Sequence, residues 1–210
     1  MLLATPTNLQ KAVKHLVEHD AVLRPVIARA GLCTLKPHRE YYRALGDAII
    51  GQQLSVKAAA SIKRRFRELF GGNFPSPEAI LEKSPENLRA VGFSRAKAVY
   101  IRDLAQHIID SKVRFDKLDE QSNEEVIATL IDVKGIGEWT AHMFLLFCMG
   151  RLDVLPTGDL GVRSGIRKLY GFEDLPTPVQ ITELAANNHW HPYESVASWY
   201  IWHSLDNAPA

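Results

Sequence analysis

The sequence predicts an all-α fold of about ten short helices, because helix-capping patterns recur along it and strand patterns do not. Several pairs in which a serine or threonine stands directly before a proline put a capping hydroxyl ahead of a proline at the first helical position. Examples are Ser76-Pro77, Ser84-Pro85 and Thr177-Pro178. Ser122 with Glu125, and Thr177 with Gln180, also have capping-box spacing. No period-2 alternation bounded by turn residues is present, as a strand would require.

Apolar residues recur at helical intervals through most of the chain. The clearest run lies between Val56 and Phe70, and Gly71-Gly72 after it suits a helix C-terminus. Similar patterns fall near residues 8–19, 39–50, 94–110, 123–131, 138–149, 159–170, 178–187 and 192–205. Brief loops separate these stretches, so the predicted helices are short and closely connected.

The composition is that of an ordinary globular protein. The 210 residues fit one domain or two small ones, and the apolar fraction of 46% with 23% charged residues excludes a disordered chain, a fibrous repeat or a disulfide scaffold. Lysine and arginine number 25 against 24 acidic residues, a net charge of +1. A basic field over the whole surface is therefore excluded, and any affinity for nucleic acid must come from local patches.

The low cysteine count indicates a reducing compartment and excludes an iron–sulfur cluster, and the short apolar runs exclude a membrane span. Cys33 and Cys148 are too few for an iron–sulfur cluster, which needs four ligands, and they do not form a secreted framework. The N-terminus has no signal-peptide pattern. The longest apolar run, Met143 to Met149, is too short to span a bilayer. We expect a soluble protein of a reducing compartment, without membrane association.

Basic residues nevertheless cluster along two predicted helices. The clusters are Lys57, Lys63, Arg64, Arg65 and Arg67, and then Arg89, Arg95, Lys97 and Arg102. They fit solvated helix faces as well as a nucleic-acid patch, and charge alone does not decide between the two.

The segment from Leu130 to Ala141 carries the first functional signal. A helix ends, a turn with Gly135 and Gly137 follows, and a new helix begins near residue 138. Both glycines permit positive φ and close approach of another backbone, and the outward amides suit a phosphate oxygen. Lys134 adds a cation, and the amide or hydroxyl of Thr140 adds a donor. A bare Gly-x-Gly would fit any tight turn, but the longer pattern resembles a helix-hairpin-helix DNA-binding motif.

A second segment indicates which kind of helix-hairpin-helix protein the chain resembles. Asp159 follows the hairpin in a Gly/Pro-rich loop that leads into a helix, where an aspartate alone would be read as an N-cap. A hairpin, such a loop, an aspartate and a helix in this order resemble the helix-hairpin-helix, Gly/Pro-rich loop, Asp superfamily of DNA glycosylases. Segments 49–55 and 190–202 are similar to its alkylbase members. Over roughly residues 40–205 the chain resembles the DNA-3-methyladenine glycosylase II family.

The resemblance implies an architecture. The whole chain, 1–210, would form one glycosylase unit of two helical subdomains with the active-site cleft between them. Residues 43–151, which include the hairpin, would form one subdomain, and 1–42 with 152–210 the other. The additional N-terminal β-domain of a well-known relative would be lacking, since the sequence is β-poor.

The resemblance also implies site residues for hydrolysis of the N-glycosidic bond of an alkylated base flipped out of duplex DNA. Asp159 would stabilise the oxocarbenium-like sugar and orient water. Aromatic side chains would hold the cationic base by cation–π attraction. The pocket candidates are Trp139 and Trp202, with Met143 and Leu160 where the family's best-known member has tyrosines. The DNA-binding candidates are Gln53 or Leu54, which would fill the vacated space, and Lys134, Gly135, Gly137 and Thr140.

Trp139 stands where bifunctional members of the superfamily carry a lysine, so the resemblance implies no Schiff base and no lyase activity. No cofactor is expected beyond a sodium or potassium ion on the carbonyls of Ile131, Val133 and Ile136. The expected partner is double-stranded DNA with 3-methyladenine or 7-methylguanine, bound by a monomer as the first step of base excision repair. Two alternatives stay open: a glycosylase for another damaged or mismatched base, and a non-catalytic helix-hairpin-helix module.

Overall fold

The computed structural model describes residues 2–205, which form twelve α-helices and no strand beyond an isolated bridge between Leu3 and Arg151. The helices are α1 Pro6–His19, α2 Leu23–Ala30, α3 Tyr41–Gly51, α4 Val56–Glu68, α5 Pro77–Glu82, α6 Pro85–Ala90, α7 Arg95–Ile109, α8 Asn123–Ile131, α9 Glu138–Met143, α10 Leu160–Tyr170, α11 Pro178–Asn187 and α12 Glu194–His203. A 3₁₀ turn covers Leu118–Glu120, and a π-helix, Phe144–Met149, continues α9. The all-α prediction is confirmed.

The predicted caps form as expected. Ser76, Ser84 and Thr177 each accept a hydrogen bond from the third amide of a helix that begins with proline. Both predicted capping boxes are complete, at Ser122 and at Thr177. These short polar signals place four of the helix N-termini by local chemistry, before any long-range contact is made.

Contacts along the chain divide the protein into two compact units. Among the described residues, one unit comprises 2–39 and 145–205 and the other Glu40–Phe144, where the sequence predicts 43–151. The segment after 144 joins the first unit because its backbone pairs with the N-terminal segment. The Ala4 amide donates to the Gly150 carbonyl at 2.7 Å, and the Leu152 amide to that of Leu2 at 3.1 Å.

In the unit Glu40–Phe144, helices α3, α5 and α6 pack against α7. Helix α4 packs against α3, and α8 packs against α9. An aromatic cluster in its interior joins Phe66 with Phe70, Phe74 and Phe93, at centroid distances between 5.2 and 5.7 Å. Phe66 and Phe93 are buried and Phe70 and Phe74 are half-buried, and the cluster ties α4 to the loops that follow it.

The other unit packs α12 against α1, α2 and α10. Every residue of α12 from Ser195 to Trp202 is buried, so this helix has no solvent-facing side. Gly165 of α10 lies so close to α12 that an added Cβ would be 2.9 Å from the carbonyl oxygen of Ile201. A side chain at position 165 would therefore push the two helices apart.

Cys33 and Cys148 are free and buried, and burial raises the pKa of each thiol to about 12. Within residues 2–205 none of the helices has both the length and the hydropathy that a bilayer span needs.

Asp20 is a fully buried carboxylate three residues before the start of α2, a helix that the hydrophobic pattern does not predict. Its Oδ1 accepts the amides of Val22 and Leu23, each at 2.8 Å. Its Oδ2 accepts the hydroxyl of Tyr170 at 2.5 Å and the indole N–H of Trp190 at 2.7 Å. Burial and the adjacent Asp20 raise the pKa of Tyr170, so the hydroxyl stays a donor. Four donors compensate the buried charge.

We predict that Asp20→Ala lowers the free energy of unfolding by about 3–5 kcal/mol, because four buried donors lose their acceptor at once. Urea-induced unfolding monitored by circular dichroism measures the change. Asp174→Ala at an exposed loop position serves as the control and should change stability by less than about 0.5 kcal/mol. A loss of under about 1 kcal/mol for Asp20→Ala would show that the network contributes little.

Candidate functional site

Asp159 is the N-cap of α10, as one interpretation of the sequence expects, and it is only 8% exposed. Its Oδ1 accepts the Val162 amide at 2.7 Å and the indole N–H of Trp202 at 2.8 Å. The Asp159 amide donates to the Pro156 carbonyl at 3.0 Å, which holds the Gly/Pro-rich loop against the start of the helix. The N-terminus of a helix is also where a negative charge is electrostatically favoured. The loop and the helix thus hold a buried carboxylate in one orientation.

Trp202 reaches Asp159 only because Gly161 has no side chain. A Cβ at Gly161 would lie 2.8 Å from Cδ1 and 2.9 Å from Nε1 of the indole, and 3.0 Å from Oδ1 of Asp159. The ring of Phe147 stacks on the indole of Trp202, with the two ring centroids 5.7 Å apart and an interplanar angle of 28°. The sequence analysis predicts Trp202 but misses Gly161 and Phe147. The second glycine in Gly-Asp-Leu-Gly is a signal for the former, whereas Phe147 sits in an apolar run typical of core.

The other pocket candidates differ in exposure. Leu160, the first residue of α10, is 63% exposed, while Trp202 is 7% exposed. Trp139 is 53% exposed and Met143 is half-buried, and the two share one face of α9 at i, i+4 spacing. Both Trp139 and Leu160 are therefore accessible to a ligand, although exposure alone assigns them no role. Their roles in a base pocket stay predictions.

The hairpin turn joins α8 to α9, and its two glycines are used differently. Gly135 has φ 84°, and an added Cβ would overlap the ring of Tyr100. Gly137 has φ −100°, so of the two glycines only Gly135 adopts the left-handed conformation that both permit. An added Cβ at Gly137 would meet nothing within 4 Å in the described chain. The open face at Gly137 leaves room for another molecule's backbone.

The polar groups around the turn are held by α7. The Lys134 amide donates to Asp103 Oδ2 at 2.8 Å, and its ammonium lies 3.5 Å from Oδ1 of the same carboxylate while 67% exposed. Asp132 is hydrogen-bonded to His107 Nε2 at 3.1 Å. Thr140, a predicted phosphate donor, is buried.

The carbonyls predicted to bind a cation come from the end of α8 and from the turn. The carbonyl of Val133 already accepts the Ile136 amide at 3.0 Å, and a carbonyl oxygen has a second lone pair. In residues 2–205 no group of three or more His, Cys, Asp or Glu side chains could hold a metal. A cation at Ile131, Val133 and Ile136 would rest on neutral oxygens, which fit a hard monovalent ion.

The loop between α3 and α4 places Gln53 at its tip. Gln53 is exposed and has φ 55°, a left-handed conformation that non-glycine residues rarely adopt. The Leu54 amide closes the turn on the Gly51 carbonyl at 3.2 Å, and Leu54 itself is half-buried. Of the two residues predicted to fill the space vacated by a flipped base, Gln53 is therefore the one exposed to solvent.

The basic cluster on α4 is partly neutralised within its own unit. Asp47 of α3 lies 3.3 Å from the Arg67 guanidinium and 3.8 Å from the Lys63 ammonium. Arg64 pairs with Glu68 at 2.7 Å. Three of its five cations thus belong to intramolecular ion pairs, which favours the interpretation as a solvated helix face over a phosphate-binding patch.

Comparison with known proteins agrees with these segments. Residues 47–189 match the HhH-GPD superfamily of base excision DNA repair proteins. DNA-3-methyladenine glycosylase 1 of Schizosaccharomyces pombe is 35% identical, over 93% of this chain and 87% of its own length. The alkylbase DNA glycosidase-like protein mag2 of the same yeast is 30% identical, over 93% of each chain.

Solved structures agree in fold. The crystal structure of a DNA-3-methyladenine glycosidase from Bacillus halodurans superposes with a TM-score of 0.84 at 37% identity, covering 92% of this chain and 88% of that one. The S. pombe 3-methyladenine DNA glycosylase in complex with abasic DNA superposes with a TM-score of 0.78 at 34% identity, covering 91% and 95%. This chain therefore belongs to the HhH-GPD superfamily and, within it, to the 3-methyladenine DNA glycosylase family.

Proposed function

We propose that this protein hydrolyses the N-glycosidic bond of alkylated bases of the 3-methyladenine and 7-methylguanine type in duplex DNA, as the first step of base excision repair. The observation that carries the proposal is the buried carboxylate of Asp159, oriented by the Val162 amide and by the indole of Trp202. It stands in a chain whose relatives are named as 3-methyladenine glycosylases.

Hydrolysis of this bond requires few catalytic groups other than the carboxylate of Asp159. An alkylated purine of this type is cationic, so it leaves as a neutral base and its glycosidic bond is already weak. Charge develops instead on the sugar, which becomes oxocarbenium-like, and a fixed carboxylate stabilises it and directs water to it. The two donors to Oδ1 of Asp159 keep the carboxylate from rotating, which preserves its aim at the reacting carbon.

The target base must first leave the duplex. Unstacking costs a few kcal/mol, and a side chain that fills the gap offsets part of it. Gln53, exposed on its left-handed turn, is suited to that role. The amides after Gly137 and the side chain of Lys134 would hold the phosphates, and the exposed Trp139 would face the flipped base, with Trp202, Met143 and Leu160 completing the pocket. A sodium or potassium ion on the hairpin carbonyls would add a positive charge for a phosphate.

The remaining expectations are part of the same proposal. The enzyme would act as a monomer on double-stranded DNA, in the bacterial nucleoid or in a eukaryotic nucleus. It would need neither an organic cofactor nor an iron–sulfur cluster. With Trp139 at the position of the superfamily's lysine, it would release the base without cutting the strand.

We predict that Asp159→Asn lowers base release at least about 100-fold, since asparagine can still cap α10 but carries no charge to stabilise the sugar. Release of 3-methyladenine and 7-methylguanine from methylated duplex DNA, followed by chromatography, measures it. Binding to a duplex with an abasic-site analogue should stay unchanged, and Asp174→Asn at an exposed position should match wild type.

Two results would count against the proposal in different ways. Wild-type rates in Asp159→Asn would remove Asp159 from the chemistry. No release of either base by the wild-type protein would overturn the alkylbase activity, and a panel of oxidised and mismatched bases would then separate another glycosylase from a binding module.

We predict that Trp202→Phe lowers the rate constant of base release about 10-fold or more, because the aromatic ring stays but Asp159 loses an orienting donor. Trp199→Phe is the matched control: Trp199 is as deeply buried in the same helix and packs on Tyr200 and His203. Single-turnover kinetics compare the two variants. Equal rates in both would mean that the hydrogen bond from Trp202 is not used.

We predict no strand cleavage and no covalent complex when the protein meets an abasic duplex in the presence of borohydride, since no amine stands at position 139. Denaturing gels show both products, and a bifunctional superfamily member supplies the positive control. A trapped complex would identify another lysine as a nucleophile, with Lys134 the first to substitute.

A further inference from the structure

One face of α7 is polar and contacts both candidate DNA-binding segments of its unit. Its members recur at helical spacing, so they share that face. They are Lys97, Tyr100, Asp103 and His107. Lys97 contacts the loop that carries Gln53, whereas the other three contact the hairpin turn.

Lys97 holds the loop by its backbone. Its ammonium donates to the carbonyl of Ile50 at 2.9 Å and to that of Gln52 at 2.8 Å. These carbonyls lie at the C-terminus of α3, where helical acceptors have no intrahelical partner and a cation is favoured. Partial burial lowers the pKa of Lys97, and the two carbonyl oxygens replace the water that the ammonium loses. The residue directly before Gln53 is therefore fixed.

Gln52 joins the loop to the hairpin. Its side-chain amide donates to the carbonyl of Gly135 at 2.7 Å, across 83 positions of sequence. Gly135 is itself packed on Tyr100, and the neighbouring Lys134 amide is bonded to Asp103. The turn is thus held from two sides, by α7 and by Gln52.

We propose that Lys97 and Gln52 are positioning residues for base flipping, which hold the Gln53 tip at a fixed spacing from the phosphate-binding turn. This inference rests on the proposed function. A duplex that is gripped at the hairpin then meets Gln53 at one defined step of its stack. Because two hydrogen bonds hold Gln52, the residue before the tip, less conformational entropy remains to be lost when Gln53 is inserted.

The test uses Lys97→Met and Gln52→Ala, with Lys97→Arg as the conservative variant that still donates to two carbonyls. Lys112→Met, at an exposed site beyond the end of α7, is the matched control. Single-turnover release of 7-methylguanine is compared between a lesion paired with cytosine and the same lesion opposite an abasic site, where little flipping cost remains. Fluorescence of 2-aminopurine beside an abasic-site analogue reports stack insertion without any base release.

We expect Lys97→Met and Gln52→Ala to slow release of the paired lesion about 10- to 100-fold more than release of the unpaired one. The 2-aminopurine response should weaken in both, Lys97→Arg should regain most of it, and Lys112→Met should match wild type. Equal slowing on both lesions, or an unchanged 2-aminopurine response, would overturn the inference.

The readouts separate the two proposals. A wild-type protein that unstacks 2-aminopurine but releases no base would contradict the proposed function, while the fluorescence of the variants would still decide the role of Lys97 and Gln52. Thermal melting checks the fold of each variant. If Lys97→Met does not fold, Gln52→Ala decides, because it leaves both carbonyl bonds of Lys97 in place.

Discussion

The close approach of α10 and α12 is the constraint on which the candidate catalytic group depends. Gly161 and Gly165 lie one turn apart on α10, and each leaves room for a residue of α12, Trp202 and Ile201 respectively. A side chain at either position would move the indole away from Asp159. The orientation of one carboxylate thus follows from the packing of two helices, and α12 is held in turn because eight consecutive residues of it are buried.

The hairpin turn likewise depends on contacts with another helix for its position. The turn is stabilised by polar side chains of α7 and by Gln52, which contact it from elsewhere in its unit. Short-range sequence signals are enough to form the turn, whereas its exact placement needs contacts with residues far along the chain. Recognition surfaces built from backbone atoms have no side chains of their own to adjust, so the supporting side chains do that work.

Those two cases explain how far the sequence analysis reaches. Helix caps such as Ser84 and Ser122, the left-handed Gly135 and the N-cap at Asp159 follow from chemistry within a few residues, and they are predicted. The helix α2 is missed because its start is stabilised by Asp20, whose other partners lie 150 or more positions away. Phe147 and Lys97 are missed for the same reason: an apolar run and a basic cluster do not say which residue faces a distant partner. The pocket roles of Trp139, Met143 and Leu160 stay predictions.

Gly137 affects which substitutions the hairpin turn can accept. It is the N-cap of α9, where serine, aspartate or asparagine would stabilise the helix more, and nothing in the described chain crowds its missing Cβ. Folding alone therefore gives no reason for glycine at this position and would favour its replacement. If a DNA backbone approaches this face, selection for binding retains the glycine against selection for stability. The hairpin tip would then be a place where a more stable variant of this protein is a less effective one.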